Sequence, residues 1–277
     1  MTDWRDSKAE PDEYLVEVDG DTIEPTHLCG GPWSPDAQHG SAVAATLAWA
    51  VEQVETPVPM RPVRFTADLL SPVPLTPLRW EARTVKAGKR IAVVDSALYD
   101  GDRLAARAST LLMRSEVTID IPDDVNQPPP VPLPPREPLP VDDFVVPEGT
   151  EWTPPGFAFA MDYERTAGAM SQGAPASIWM RLRCRTVAGE DATPFQWAVA
   201  AADMGSQLGG FLPFATYRTI NADITLHLHR LPTTSWIGLD GTHRVAPDAI
   251  GQTNASMFDE EGLVAQMQSS VHIDRWG

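Results

Sequence analysis

The chain has 277 residues, 43% of them hydrophobic, which is enough for one large core or for two of about 140 residues each. Its 21 basic and 38 acidic residues give a formal net charge of −17, which argues against nucleic acid or an anionic membrane surface as a partner. No window approaches the roughly 18 to 20 apolar residues of a membrane span, and the chain begins with polar residues, so we expect a cytoplasmic protein. Two cysteines are too few for a disulfide scaffold or a thiolate zinc site, and we expect no metal and no other cofactor.

The beginning of the chain combines short strands with one helix. A turn-rich stretch that contains His39 and Gly40 leads into a helix predicted over residues 42–54, which is mostly alanine and aliphatic. Amides at the start of a helix have no intrahelical partner and can hold a carbonyl oxygen, and a glycine lets a ligand approach the backbone closely. Plain capping of the helix by Ser41 is the alternative, and these residues alone favour it.

Strands dominate the rest of this first half. Apolar residues alternate with a period of two, and a tight turn joins the last two segments into an antiparallel hairpin. One helix followed by long antiparallel strands indicates an α+β layer in which the sheet wraps the helix. The predicted strands cover residues 61–70, 78–85, 91–100 and 104–114.

A proline-rich segment divides the chain. Nine of the nineteen residues from 122 to 140 are proline, so this run cannot donate a ladder of hydrogen bonds and favours the polyproline II conformation. A ligand for a proline-recognition module is one interpretation, but a spacer between two similar halves is more economical. We therefore predict an N-terminal domain over residues 1–121, a linker over 122–140 and a C-terminal domain over 141–277.

The order of elements repeats after the linker. In the predicted hairpins, Tyr99 corresponds to Phe258 and Ser109 to Gln268, a constant offset of 159 residues that indicates an internal duplication. His227 and His229 alternate with leucines and are interpreted as surface or packing residues. The predicted strands of this half are 157–165, 178–185, 221–230, 235–243, 251–259 and 263–274.

Asp203 is the one acidic residue in a run of small apolar residues from 197 to 211. A helix with this composition would be buried nearly all round, where a carboxylate is costly unless it has a partner or a chemical task. A helix cap or an ion pair with an unidentified arginine is the structural alternative, and the segment alone does not decide between the two interpretations.

The chain resembles a known family. A helix wrapped by long antiparallel strands, present twice with a linker between, resembles the double hot-dog fold of the acyl-CoA thioesterase II type, and more closely the thioesterase-like proteins of actinobacteria. The resemblance implies two fused sheets forming a pseudo-dimer, an acyl-CoA substrate and thioester hydrolysis. Its carriers are Gly31-Pro-Trp33, Gln38-His39-Gly40, Trp179-Met-Arg181, Ala202-Asp203, the run from Asn221 to Arg230, and Gln268.

The two halves differ where this family builds its site. In the single-domain hot-dog thioesterases that the chain resembles, a His-Gly-Gly motif is followed about two helical turns later by an acid. The glycine and the acid of one site come from different subunits. The first half keeps His39 and Gly40 but has Ala48 or Trp49 where the acid would fall. The second half keeps Asp203 but has Pro194-Phe195 where His-Gly would fall, so we predict one composite site.

The resemblance also implies roles for the catalytic residues. Asp203 would deprotonate a water or attack the thioester directly, and Gln268 would hold the water. The family has threonine at the third position, where this chain has Asn221, and Thr225 or Asp223 could serve instead.

Substrate contacts and the class of function complete the expectations. His39, Gly40 and Thr225 are predicted to bind the substrate, with the Gly40 amide facing the oxyanion. A non-catalytic acyl- or lipid-binding protein is the alternative function, and the net charge of −17 is a difficulty for binding the polyanionic coenzyme A. The sequence leaves a homo-oligomer open.

Overall fold

One sheet of 14 strands runs through the computed structural model, which describes residues 8–120, 122, 131–134, 156–167, 176–208, 212 and 216–275. The elements of the first half are β1 Tyr14–Asp19, β2 Thr22–Pro25, α1 Gly40–Glu52, β3 Met60–Leu69, β4 Leu78–Lys86, β5 Ile91–Asp100 and β6 Arg103–Arg114. Those of the second half are α2 Gly156–Ala160, β7 Met161–Ala167, β8 Ala176–Leu182, β9 Arg185–Val187, α3 Pro194–Ala202, β10 Tyr217–Asn221, β11 Asp223–Leu228, β12 Ile237–Val245, β13 Ile250–Asp259 and β14 Gly262–Arg275.

Both halves have the same strand order. From the centre outwards it is β3-β6-β5-β4-β2-β1 in one half and β11-β14-β13-β12-β8-β7 in the other, and β3 pairs with β11 in an antiparallel seam. Thr66 lies opposite Thr225 in that seam, and their hydroxyls are hydrogen-bonded at 3.3 Å. The predicted α+β double hot-dog architecture is thereby confirmed.

The two main hairpins share an irregularity as well as an order. A register shift lies between Leu98 and Tyr99 in the β5–β6 pair, and another lies between Met257 and Phe258 in the β13–β14 pair. A bulge changes which face of the sheet the following residues occupy. Because both shifts lie at equivalent positions, the halves keep equivalent inward-facing residues.

Helices α1 and α3 fill the core between the wrapped strands. Every residue of α1 from Ser41 to Val51 is buried, and so are Ala198 to Ala202 of α3. Alanine has a high helix propensity and a small side chain, so two alanine-rich helices can approach each other closely inside the sheet. The core is continuous across the halves.

The helix predicted over 42–54 spans Gly40–Glu52 and the strand predicted over 235–243 spans Ile237–Val245, and four further boundaries differ from the structure. Residues 157–160 belong to α2 rather than to a strand, and the predicted strand 221–230 is interrupted at Ala222, whose N–H donates to the Ser270 carbonyl. The predicted strand 178–185 ends at Leu182, after which β9 leaves to pair in parallel with β1. Helix α3 ends at Ala202, and a 3-10 turn, Asp203–Gln207, follows.

The proposed linker lies outside the described residues except for 122 and 131–134, and the domain boundaries stay a prediction. Among the described residues, no helix combines the length and the apolar character that crossing a membrane requires. Cys29 and Cys184 are both buried free thiols. Burial raises the pKa of Cys184 to about 12 and raises the pKa of Cys29 as well.

Candidate active site

The N-terminus of α1 meets the C-terminus of α3, and this junction brings together the candidate site residues of the two halves. Asp203 is the C-cap of α3, and only 6% of its surface is exposed. A Cβ atom added to Gly40 would lie 2.7 Å from Asp203 Cγ, so only glycine fits at this position. The composite arrangement predicted from the two halves is present, with Asp203 at the end of the helix rather than inside it.

Hydrogen bonds hold the Asp203 carboxylate from two sides. Asn221 Nδ2 donates to Asp203 Oδ1 at 2.7 Å and also to the Asp203 carbonyl oxygen at 2.7 Å. Ser41 Oγ donates to Asp203 Oδ2 at 3.3 Å, and His39 Nδ1 lies 3.0 Å from the same oxygen. Asn221 also satisfies a carbonyl that the end of α3 leaves without an intrahelical donor, which explains why the helix can stop in the core.

These partners determine the ionisation of Asp203. Burial by itself raises the pKa of the carboxyl group, but contacts with His39, Asn221 and Ser41 favour the charged form. The balance holds the pKa of Asp203 below its ordinary value. Asp203 is therefore a buried carboxylate that is ionised at neutral pH.

His39, rather than Ser41, is the N-cap of α1, so the expectation of capping by Ser41 is corrected. His39 Nδ1 accepts a hydrogen bond from the Ser41 amide at 3.1 Å, and its ring stacks on Phe157 with the ring centroids 4.6 Å apart. The same nitrogen faces Asp203 Oδ2. A ring nitrogen carries either a proton or a lone pair, so Nδ1 can serve the amide or the carboxylate but not both at once.

The amide of Gly40 has no such partner. As the first residue of α1 it lies among the amides that have no intrahelical acceptor, and it donates to no group in the described part of the chain. The positive end of the helix dipole adds to its attraction for an oxyanion. The junction thus combines an ionised acid with a backbone donor that is free to bind a ligand.

Two predicted site residues lie elsewhere. Along β14 the buried residues alternate with exposed ones, and Gln268 is exposed between buried Met267 and Ser269. Thr225 lies opposite Gln268 on the same outer face and bonds to Thr66. The geometry therefore does not support water binding by Gln268 or substrate binding by Thr225, because the sheet separates both side chains from Asp203.

Ser269 takes the inward position that sequence reasoning gave to its neighbour. Its hydroxyl donates to Asn221 Oδ1 at 3.4 Å and is 2% exposed. Asp223, considered as an alternative, accepts a hydrogen bond from the Ser270 amide at 2.7 Å. Strict alternation in β14 could have indicated Ser269, but only if the inward face of that strand were already known.

The opposite ends of α1 and α3 form a second junction. Glu52, the last residue of α1, accepts hydrogen bonds from Thr193 Oγ1 at 2.8 Å and from Gln196 Nε2 at 2.6 Å. The family motif had placed the acid of this half at Ala48 or Trp49, and neither residue is acidic. Trp49 instead donates its indole N–H to Glu190 at 2.9 Å, and the acid at this end comes from the last residue of the longer helix.

Comparisons with known sequences identify a family for both halves of the chain. The sequence model described as the acyl-CoA thioesterase N-terminal domain matches residues 30–113, and that of the acyl-CoA thioesterase C-terminal domain matches residues 129–272. A comparison with curated protein sequences gives no significant match.

Solved structures show the same fold over nearly the whole chain. A hot-dog protein of unknown function from Alicyclobacillus acidocaldarius is 15% identical, with a TM-score of 0.67 and 99% of each chain covered. A tesB protein of Mycobacterium avium subspecies paratuberculosis is 14% identical, with a TM-score of 0.63 and coverage of 94% of this chain and 95% of that chain. The acyl-CoA thioesterase II TesB2 of Mycobacterium marinum is 13% identical, with a TM-score of 0.60 and coverage of 95% and 96%. By its two matching domains the chain belongs to the acyl-CoA thioesterase family and is a thioester hydrolase.

Proposed function

We propose that the chain hydrolyses a fatty or other hydrophobic acyl-CoA at the composite site around Asp203. The observation that carries the proposal is the packing of Gly40, whose amide has no acceptor among the described residues, directly against an ionised, buried Asp203. Hydrolysis of a thioester needs a group that accepts the proton of water and donors aimed at the oxyanion. Each half of the chain supplies one of these requirements.

Asp203 is the proposed base. Its carboxylate takes a proton from water while the water oxygen adds to the thioester carbonyl carbon. The C–S bond then breaks, and the coenzyme A thiolate leaves and takes up a proton. Direct attack by Asp203, followed by hydrolysis of the resulting anhydride, uses the same geometry and remains the alternative. Asn221, supported by Ser269, is the proposed neighbour of the water in place of Gln268.

Backbone amides are the proposed oxyanion donors. The Gly40 amide is free, and the Ser41 amide becomes free when His39 Nδ1 carries a proton and donates to Asp203. Stacking on Phe157 holds the His39 ring in place while its Nδ1 changes from accepting the Ser41 amide to donating to Asp203. The position of one proton on His39 would thus decide whether the oxyanion meets one amide or two.

The surroundings of Asp203 support a hydrophobic acyl group. Met204 and Leu208 are buried directly after it, and the facing helices are rich in alanine. An acyl chain placed here would be removed from water, which is worth about 0.8 kcal/mol for each buried methylene.

A matched pair of variants tests the proposal. Release of coenzyme A thiol from a panel of acyl-CoA substrates is measured for the wild type, for Asp203→Asn and for Glu52→Gln, together with the melting temperature of each. Removing a positioned base typically lowers turnover about 10²-fold to 10⁴-fold, so we expect that loss for Asp203→Asn with the fold intact, and near-wild-type turnover for Glu52→Gln.

Glu52→Gln is the control for Asp203→Asn, because each variant replaces a hydrogen-bonded acid at a helix end with its amide. A folded Asp203→Asn protein with wild-type turnover would remove Asp203 from the mechanism. Absence of turnover by the wild type on every acyl-CoA, with acyl-CoA still bound, would favour the non-catalytic alternative.

A further inference from the structure

On the outer face, the seam between β3 and β11 has basic residues at one end and acidic residues at the other. Pairing is antiparallel, so equivalent residues of the two halves lie on opposite sides of the central Thr66–Thr225 pair. A duplicated seam would place the same kind of residue at both ends. The outer-facing pairs are instead Arg64 with His227 at one end, Thr66 with Thr225 at the centre, and Asp68 with Asp223 at the other end.

The acidic end of the seam is satisfied within the chain. Asp68 Oδ2 accepts a hydrogen bond from Arg107 Nε at 2.7 Å, and Asp223 Oδ1 accepts one from the Ser270 amide at 2.7 Å. Each carboxylate therefore has a donor, and this end has no need of an external ligand.

The basic end is not satisfied in the same way. Arg64 Nε and Arg61 Nη1 are buried atoms that lack a hydrogen-bond partner, while Arg61 Nη2 donates to the His229 carbonyl at 3.0 Å. Across the described part of the chain, neither guanidinium lies within 4.0 Å of a carboxylate oxygen. Withdrawing part of a guanidinium from water without a counter-charge is costly, so these groups are poised for an anion.

An open surface pocket of about 390 Å³ lies at this end of the seam. Its lining combines Arg64, His227 and His229 with apolar side chains, among them Leu111 and Met113. This volume accommodates a small ligand, and the mixed lining fits one that has an anionic group and an apolar part. The planar fork of an arginine matches the oxygens of a phosphate group well.

We propose that this pocket binds a phosphate-bearing small molecule at a site separate from the Asp203 junction. The pocket lies on the outer face of the sheet, while Asp203 is buried beneath the inner face. In a chain with a formal charge of −17, two unneutralised arginines beside two histidines form a local exception that attracts anions. The proposal needs no assumption about the catalytic step.

The experiment is calorimetric titration of the full chain with pyrophosphate and with adenosine diphosphate. We expect saturable binding with one ligand per chain, weakened about tenfold or more in Arg64→Gln, since a hydrogen bond to a charged group is typically worth that factor. Arg107→Gln is the matched control, because it removes the same charge from the same face but from a paired site, and binding should change less than about twofold.

Further variants keep the test decisive. If Arg64→Gln does not fold, the exposed His227 is replaced by glutamine, which should weaken binding a few-fold. Asp203→Asn should bind pyrophosphate like the wild type, so a failure of the catalytic proposal leaves this result unaffected. Absence of saturable binding, or equal binding by the wild type and Arg64→Gln, would overturn the proposal. Tighter binding of the nucleotide than of pyrophosphate would support a contribution from the apolar wall.

Discussion

At one end of the α1–α3 pair Gly40 lies against Asp203, whereas at the other end Pro194 begins α3 and Glu52 ends α1. Both ends have an acid at a helix C-terminus, an N-cap side chain that contacts it and an additional side-chain donor. The additional donors are Asn221 for Asp203 and Gln196 for Glu52.

The difference lies in the donors left for a ligand. Proline has no N–H, so the first position of α3 offers no donor where the first position of α1 offers the free amide of Gly40. The acids differ too. Asp203 is buried and its contacts hold its pKa below the ordinary value, whereas Glu52 is exposed to solvent. An acid at a helix end is therefore not enough, and a free amide beside an ionised acid distinguishes the proposed active end.

Gly40→Ala gives the largest expected effect among tests of this comparison. The new Cβ would push directly into the Asp203 carboxylate, displacing the base and the oxyanion donor together, so turnover should fall about 10²-fold or more. The measurement is thiol release per folded molecule. Pro194→Ala, at the same helical position of the other end, should retain turnover within about twofold, and equal losses in both variants would dissolve the distinction between the two ends.

Asn221→Leu should have an intermediate effect, visible mainly as a pH shift. Asn221 favours the ionised form of Asp203, so its loss should raise the Asp203 pKa and move the acidic limb of the pH–rate profile to higher pH. Turnover at neutral pH should fall about tenfold because the catalytic water also loses its proposed neighbour. Gln196→Leu removes the equivalent donor from Glu52 and should leave the limb in place. An unchanged profile in Asn221→Leu would separate this residue from the base.

The same depressed pKa has a consequence for stability. A carboxyl group whose folded pKa lies below its unfolded value stabilises the fold above the unfolded pKa, and this contribution disappears as the pH falls through the folded pKa. In Asn221→Leu the folded pKa moves closer to the unfolded one, so this contribution should be smaller and its loss should be complete at a higher pH.

The smallest expected effect concerns the two faces of β14 at the active end. Ser269→Ala removes a 3.4 Å hydrogen bond to Asn221 and should lower turnover a few-fold, since net contributions of single hydrogen bonds are near 1 kcal/mol. Gln268→Ala, on the outer face, should be neutral. Steady-state assays of the two variants decide which of the two residues acts at the active site. A large loss in Gln268→Ala alone would restore the prediction that Gln268 holds the water.

The fold was largely predictable because it depends on local periodicity and on repetition. Alternation located the long strands, and the offset of 159 residues between the hairpins reappears as the separation between Thr66 and Thr225, which are hydrogen-bonded at the centre of the seam. Gly40 and Asp203 were also predictable as partners, because each half has one element of a shared motif.

The remaining site residues depend on tertiary geometry that one sequence does not encode locally. A period of two identifies residues that share a face but not the face that turns inward, and a bulge inverts the pattern, so Gln268 and Ser269 could not be separated. The apolar run around Asp203 fitted a longer helix, whereas Asn221 binds the Asp203 carbonyl from another strand where α3 ends. Glu52 was missed because the motif comparison placed the acid at Ala48 or Trp49, whereas the acid of this half is the last residue of α1.

Because both thiols are buried, the folded protein should be nearly unreactive towards thiol reagents. Cys29 and Cys184 are the only cysteines of the chain, and neither is reactive while it is buried with a raised pKa. A colorimetric reagent added during turnover therefore reports coenzyme A without a background from the enzyme. On heating, the same reagent should detect two new thiols per chain as the core opens, so one cuvette records both catalysis and unfolding.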